Sequence, residues 1–328
     1  MMTTLSCLDL APVREDGTIS ESFAESAVLA RAAEDAGYRR YWVAEHHGMP
    51  GISSSATSVL LAHLGHATST IRIGAGGIML PNHNPMVIAE QFGTLDALFP
   101  GRVDLGLGRA PGADGRIAQA LRKDLMTASG HFPQDVLELQ HLFAGDPALP
   151  VQAIPGAGAN VEMWILGSSL FGAQLAAHLG LPYAFASHFA PDQLDRALAI
   201  YRERFQPSEV LDRPHVMAGM TVIAAETDEE AVYLSSTMDQ SFVALRTGRP
   251  GRLKPPVAGY RDSLAPELCA MLDRSRQASA IGGPATVRDG IAAFIKRTGA
   301  DEIIVAGIVY DPQARLRSLA LTMEVMAA

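Results

Sequence analysis

The sequence predicts an α/β chain folded as a (β/α)8 TIM barrel, with insertions after strand 4 and after strand 7. Three observations carry the prediction. Short, nearly continuous apolar runs alternate with helix-patterned segments from one end of the chain to the other, as expected for parallel strands buried on both faces. Eight strand segments, each followed sooner or later by a helix, can be traced, the number that closes a parallel barrel. The 328 residues suit one barrel domain, 1–328, with room for insertions. A doubly wound open sheet is the runner-up.

Leu5–Leu10 reads as the first strand. Ser20 is placed to cap a helix over Ser22 to Ala36, which carries apolar residues at helical spacing and is closed by Gly37. Tyr41–Ala44 is the second strand, followed by a helix over Ser58–Ala67. Ile71–Ala75 is the third, and Pro85 opens a helix running to Leu98. Val103–Leu107 is the fourth strand. Gly112–Pro133 does not fit a minimal unit and reads as an insertion. A helix over Asp135–Phe143 leads to the fifth strand, Met163–Leu166. Phe171–Leu179 is a helix ended by Gly180. Tyr183–Ala186 is the sixth strand, with a helix over Asp192–Phe205. Val216–Ala224 is the seventh, and Asp228 opens another helix. Gly248–Gln277, rich in Gly, Pro and Arg, is the second insertion. Ala285–Thr298 is a helix ended by Gly299. Ile303–Ala306 is the eighth strand, and Pro312–Met326 the last helix.

Composition narrows the function. Apolar residues make up 48% and charged residues 19%, which excludes a disordered chain. The balance is 26 basic against 35 acidic residues, a net charge of −9. Nucleic-acid binding needs clustered Lys and Arg, so no such partner is expected. No apolar run approaches ~18 residues, so no membrane span is expected. Met1–Leu5 lacks the basic-then-apolar order of a signal peptide, and the cytoplasm is the expected compartment. Cys7 and Cys269 form neither a disulfide framework nor a metal-ligand spacing, and no metal is expected.

A barrel of this kind keeps its chemistry at the C-terminal ends of its strands. Polar and glycine residues accumulate there: Glu45-His46-His47-Gly48 after the second strand, Gly76-Gly77 and Asn82-His83 after the third, Gly108-Arg109-Ala110-Pro111 after the fourth, Gly167-Ser168-Ser169 after the fifth and Ser187-His188-Phe189 after the sixth. Consecutive residues at a strand end point in different directions, so one histidine of the pair at most faces the mouth. Its roles are proton transfer or ligand hydrogen bonding, against loop capping for the other. Gly74–Gly77 lacks the G-x-G-x-x-G spacing of a dinucleotide fingerprint. Doubled glycines there suit a plain bulge or the close approach of a flat ligand. Gly167–Gly172 runs from strand into helix, so free amides, the positive dipole end and two hydroxyls make an anion site or an ordinary N-cap. Arg109 adds a cation to it or joins a surface ion pair.

Several ordered stretches resemble the luciferase-like flavin monooxygenases: Tyr41-Trp42-Val43-Ala44-Glu45-His46-His47, Gly76 to Pro85, Ala89 to Asp96, Gly101 to Arg109, Leu166-Gly167-Ser168-Ser169 with Leu179 to Pro182, and Ile281-Gly282-Gly283-Pro284. The resemblance covers nearly the whole chain. It implies an oxidoreductase that takes reduced FMN from a separate flavin reductase and oxygenates a small organic substrate. It also implies His46 as the catalytic residue, a cis Gly76–Gly77 peptide against the flavin ring, and Ser168, Ser169, Leu170 and Arg109 at the flavin phosphate. A deazaflavin-dependent hydride transferase and a non-catalytic flavin-binding protein are the alternatives. A homodimer is implied through the first barrel units, which carry the Ala-rich stretches Ala24–Ala36 and Ala89–Leu98. The luciferase catalytic subunit has cysteine at the position of Gly108 and a Glu-Ser pair at Ser168-Ser169, differences that count against light emission.

Overall fold

The structure, a computed structural model, describes residues 3–109, 119–121 and 125–327. Eight parallel strands close a barrel: β1 (Thr4–Asp9), β2 (Arg40–Val43), β3 (Arg72–Met79), β4 (Val103–Gly108), β5 (Glu162–Gly167), β6 (Tyr183–Phe185), β7 (Val216–Ala224) and β9 (Glu302–Ala306). Each pairs with the next, and β9 pairs with β1 to complete the ring. The ninth strand, β8 (Ser279–Gly282), lies outside the ring. Nine-residue β7 forks: Met217–Thr221 pairs with β9, while Thr221–Ala224 pairs with β8.

Helices cover the ring: α1 (Ile19–Asp35), α2 (Thr57–Ala67), α3 (Pro85–Leu98), α4 (Leu125–Ala144), α5 (Leu170–Leu179), α6 (Leu194–Arg204), α7 (Asp228–Arg246), α8 (Pro266–Ser275), α9 (Pro284–Thr298) and α10 (Pro312–Ala327). The cap of α1 is Thr18, not Ser20. Thr18 and Glu21 form a reciprocal capping box, so the helix begins at Ile19. α4 starts ten residues before the expected Asp135 and carries Pro133 inside it. The first insertion is therefore partly helical. Its residues 112–118 and 122–124 lie outside the described residues, as does the expected strand-end pair 110–111. The second insertion holds α8 and two short 3-10 turns. Among the described residues no helix is long and apolar enough to cross a membrane.

Strand alternation sorts side chains into the barrel or against the helices. Inside, Leu8, Trp42, Ala44, Trp164, Ala184, Met217 and Ile304 form one buried cluster. Trp42 and Trp164 meet edge to face, their centroids 5.5 Å apart. Gly74 and Gly106 occupy inward positions on β3 and β4. A Cβ at Gly74 would sit 2.6 Å from Trp42 Nε1, and one at Gly106 would sit 2.4 Å from a Leu166 methyl. The small residues make room for the large ones.

Below the indoles the barrel is stopped by charge. Arg40 is buried and pairs with Asp104 (2.8 Å), Glu162 (2.9 Å) and Glu302 (3.1 Å). Arg72 also binds Asp104, and the two indole N–H groups donate to Asp104 and Glu162. Burial pushes the Asp104 carboxyl up against the pull of Arg40 and Arg72. Outside the ring, Asp9 at the end of β1 accepts from Ser26, Tyr41 and Arg315, tying α1, β2 and α10 to one strand.

Candidate active site

The strand ends predicted to carry chemistry meet at one mouth. On β2, Arg40, Trp42 and Ala44 share the inward side, and His46 follows on the same alternation. Glu45 and His47 take the other side. Glu45 is buried and accepts from Met79 N (2.9 Å), Asn82 Nδ2 (3.1 Å), His83 Nε2 (2.9 Å) and His47 Nε2 (2.7 Å). Burial raises the Glu45 carboxyl, but the hydrogen bonds from His83, Asn82 and His47 outweigh it and hold it below the ordinary carboxylate range. The ionised carboxylate thus clasps the β2 loop to the β3 loop. His47 serves that clasp, while His46 makes no hydrogen bond among the described residues.

A second imidazole faces the mouth. β6 lies opposite β2, four strands round the ring, and His188 follows it. The His188 Nδ1 is buried without a hydrogen-bond partner among the described residues. A Cβ at Gly219, the inward position above Met217 on β7, would sit 2.2 Å from that nitrogen. Glycine at 219 is what gives the ring its place. Burial pushes the His188 imidazole down to about 4, with repulsion from His46 adding to it. Burial also lowers His46, against the attraction of Glu45. Both rings are therefore neutral at pH 7. The sequence put His188 at a strand end but offered no reason to single it out. The chain turns at Ser187–Phe189, just past β6, so strand alternation does not say where this ring points, and its seat is set by Gly219 instead.

Between the two histidines the inward residues are small: Ala44, Gly76, Gly219 and Ala306. The Gly76–Gly77 peptide is cis. A Cβ at Gly77 would sit 2.5 Å from the Gly106 carbonyl oxygen, and one at Gly76 would sit 2.8 Å from the Trp42 ring. Both positions therefore require glycine for close approach to their neighbours.

The residues singled out for an anion lie around the start of α5. Ser169 is the N-cap of α5, yet neither serine spends its hydroxyl on a cap bond, and both are exposed. Leu170 is the first helical residue. Arg109, at the end of β4, places its guanidinium carbon 4.1 Å from the centroid of Phe171, in the first turn of the same helix. It has no carboxylate partner among the described residues. One cation, two hydroxyls and the free amides of a helix start share this side of the mouth, a donor set that fits a phosphate. Among the described residues no group of three or more His, Cys, Asp or Glu is arranged to hold a metal ion.

Comparison with known proteins bears on this geometry. The luciferase-like monooxygenase family model matches residues 3–302. A protein of Escherichia coli K12 described as a luciferase-like monooxygenase is 50% identical over 321 residues, covering 98% of this chain and 96% of that one. The N-acetyl-S-alkylcysteine monooxygenase of Bacillus subtilis 168 is 33% identical over 255 residues, 76% of this chain and 75% of that one. Among solved structures, apo-MsnO8 superposes with a TM-score of 0.92 at 34% identity, covering 99% of this chain and 98% of that one. The oxygenating constituent of 3,6-diketocamphane monooxygenase from Pseudomonas putida, solved with FMN, shares the fold at TM-score 0.77 and 19% identity, over 100% and 98%. The chain belongs to the luciferase-like monooxygenase family.

Proposed function

We propose that this protein is the oxygenase component of a two-component, FMN-dependent monooxygenase acting on a small organic substrate. The observation that carries the reading is the mouth itself: two neutral imidazoles on opposite strands above a floor of glycine and alanine, with a phosphate-type donor set at one rim. Reduced FMN, when bound, supplies the electrons that activate dioxygen. The chain's part is to hold the flavin, orient the substrate and exclude water. Arg109, the two serines and the start of α5 hold the phosphate. Gly76 and Gly77 let a flat ring lie against the backbone. His46 donates a hydrogen bond, or takes a proton, at the reacting oxygen. Glu45 acts through His47, His83 and Asn82 by fixing the loops around it. The crystallised camphane oxygenase holds FMN, and the Acinetobacter baylyi relative at 20% identity is an oxygenase component. Both support a flavin delivered by a separate reductase. The Bacillus enzyme acts on an N-acetyl-S-alkylcysteine, which supports a small functionalised organic substrate here. Outward-facing Val59 (71% exposed), Val87 (45%) and Leu98 (51%) on α2 and α3 support a homodimer through the first barrel units.

Spectral titration with FMN and with a deazaflavin, followed by oxygen uptake with chemically reduced FMN, tests the reading. FMN binding with substrate-dependent oxygen uptake is expected. Tight deazaflavin binding without oxygen uptake would assign a hydride transferase instead, and FMN binding without any turnover a non-catalytic flavoprotein.

A further inference from the structure

Another arginine set against aromatic rings stands at the mouth. α7 ends at Arg246, whose guanidinium carbon lies 5.1 Å from the centroid of Phe189 and 5.0 Å from that of Phe242. Phe189 directly follows His188 in the β6 loop and is 44% exposed. From Arg246 the chain crosses to the far rim. Glu15 N donates to Leu253 O (2.8 Å), and Leu253 N to Val13 O (2.9 Å). Gly251 packs so tightly on the β2 loop that a Cβ at Gly51 would sit 2.2 Å from its carbonyl oxygen. This strap therefore spans the C-terminal face from the β6 loop to the β1 and β2 loops.

Its charge is one-sided. Between Gln240 and Arg261 stand Arg246, Arg249, Arg252, Lys254 and Arg261 and no carboxylate, in a chain of net charge −9. Arg261 pairs with Asp273, and Arg252 donates to the Gly17 carbonyl (3.0 Å). Arg246, Arg249 and Lys254 have no carboxylate partner among the described residues. The two rings hold the exposed Arg246 guanidinium against the β6 loop, and its N–H groups, with no carboxylate partner among the described residues, suit a carboxylate with two parallel bonds. FMN carries one phosphate, and Arg109 with the start of α5 already provides for it on the β4–β5 side. A second arginine held by two rings on the β6 side calls for a second anion.

We infer that Arg246, held by Phe189 and Phe242, binds the carboxylate of an anionic organic substrate and thereby makes the enzyme selective for carboxylate-bearing molecules. The inference rests on the flavin oxygenase reading and deepens it. Bulk basic character in the strap draws such an anion to the mouth, and the arginine edge fixes its polar end beside His188.

The test uses the full chain, with and without saturating FMN, and two probes of one shape: 3-phenylpropanoate and 3-phenylpropanamide. Calorimetric titration should show the carboxylate bound tenfold or more tightly than the amide. Arg246→Gln should bring the ratio to about one with FMN affinity unchanged, and Arg246→Lys should restore part of it. The inference is overturned if neither probe binds at 10 mM, if the ratio survives Arg246→Gln, or if that variant weakens FMN but not riboflavin, which would give Arg246 to the flavin phosphate. Failure of the parent protein to bind FMN overturns the flavin reading instead. The FMN-free titrations still decide the carboxylate.

Discussion

Acid should unfold this protein through His188 before it reaches the carboxylates. The ring is held neutral in the fold, with its pKa pushed down from the ordinary 6.5 to about 4. In the unfolded chain it is free to take a proton at the ordinary value. As pH falls, the unfolded state gains that proton first, so stability is lost between about pH 6.5 and 4 and is flat above that window. A gap of that size corresponds to roughly 3 kcal/mol in full, and to about 2 kcal/mol at pH 5. Glu45 and Glu302 are held below their ordinary range, so their loss on acidification comes lower, as pH falls below about 4.5. His46 acts in the same direction as His188. The comparison is therefore parent against His188→Gln, which keeps a polar group that does not titrate. Both tryptophans are buried inside the barrel, so their fluorescence in urea reports the core. The parent should lose about 2 kcal/mol more than the variant between pH 7 and pH 5. Parallel losses would show that His188 is not held neutral by its burial, and the account of Gly219 as its seat would fail with it.

Three further outcomes are expected. Arg109→Ala should weaken FMN much more than riboflavin, which lacks the phosphate; fluorescence quenching titrations compare them, and equal losses would remove Arg109 from the phosphate. His46→Ala should retain FMN but lower oxygenation ~100-fold or more with chemically reduced FMN, the scale of a lost acid–base group, whereas His47→Ala should act mainly on stability by loosening the Glu45 clasp. Gly77→Ala should cost roughly 1–3 kcal/mol in urea unfolding, the usual range for overpacking, because its Cβ meets a backbone carbonyl at 2.5 Å that has little freedom to move.

Most of the barrel was legible because its strands are short apolar runs and its helices are punctuated by Gly37, Gly180 and Gly299, each with positive φ in the structure. What escaped was set by partners distant in the chain. β8 is four residues containing a glycine, and it is a strand only because β7 outruns the ring and offers an edge. The early start of α4 was hidden by Pro133, which reads as a stop in one dimension. The doubled glycines and the serine turn were visible at the mouth. The seating of His188 depends on a missing side chain at Gly219, thirty-one residues on, and the stacking of Arg109 depends on Phe171; neither pairing leaves a local mark. Glu45 was noticed as an acid beside two imidazoles, but three of its four donors come from the β3 loop, more than thirty residues further on.

The charged stopper beneath the tryptophans has a kinetic meaning. Arg40 and its three carboxylates seal the lower end of the barrel, and losing Arg40 would leave the buried Glu302 carboxylate without its guanidinium, a loss of several kcal/mol. A vessel closed at the base has a single doorway. Whatever lies deepest must arrive first and leave last, so on the proposed flavin reading a ring resting on Gly76 would be loaded before the substrate that covers it. On that reading the product would clear the doorway before the spent ring could be exchanged. Turnover would then follow a compulsory order, with excess substrate arriving ahead of the ring blocking the way in, which substrate inhibition in steady-state kinetics would show.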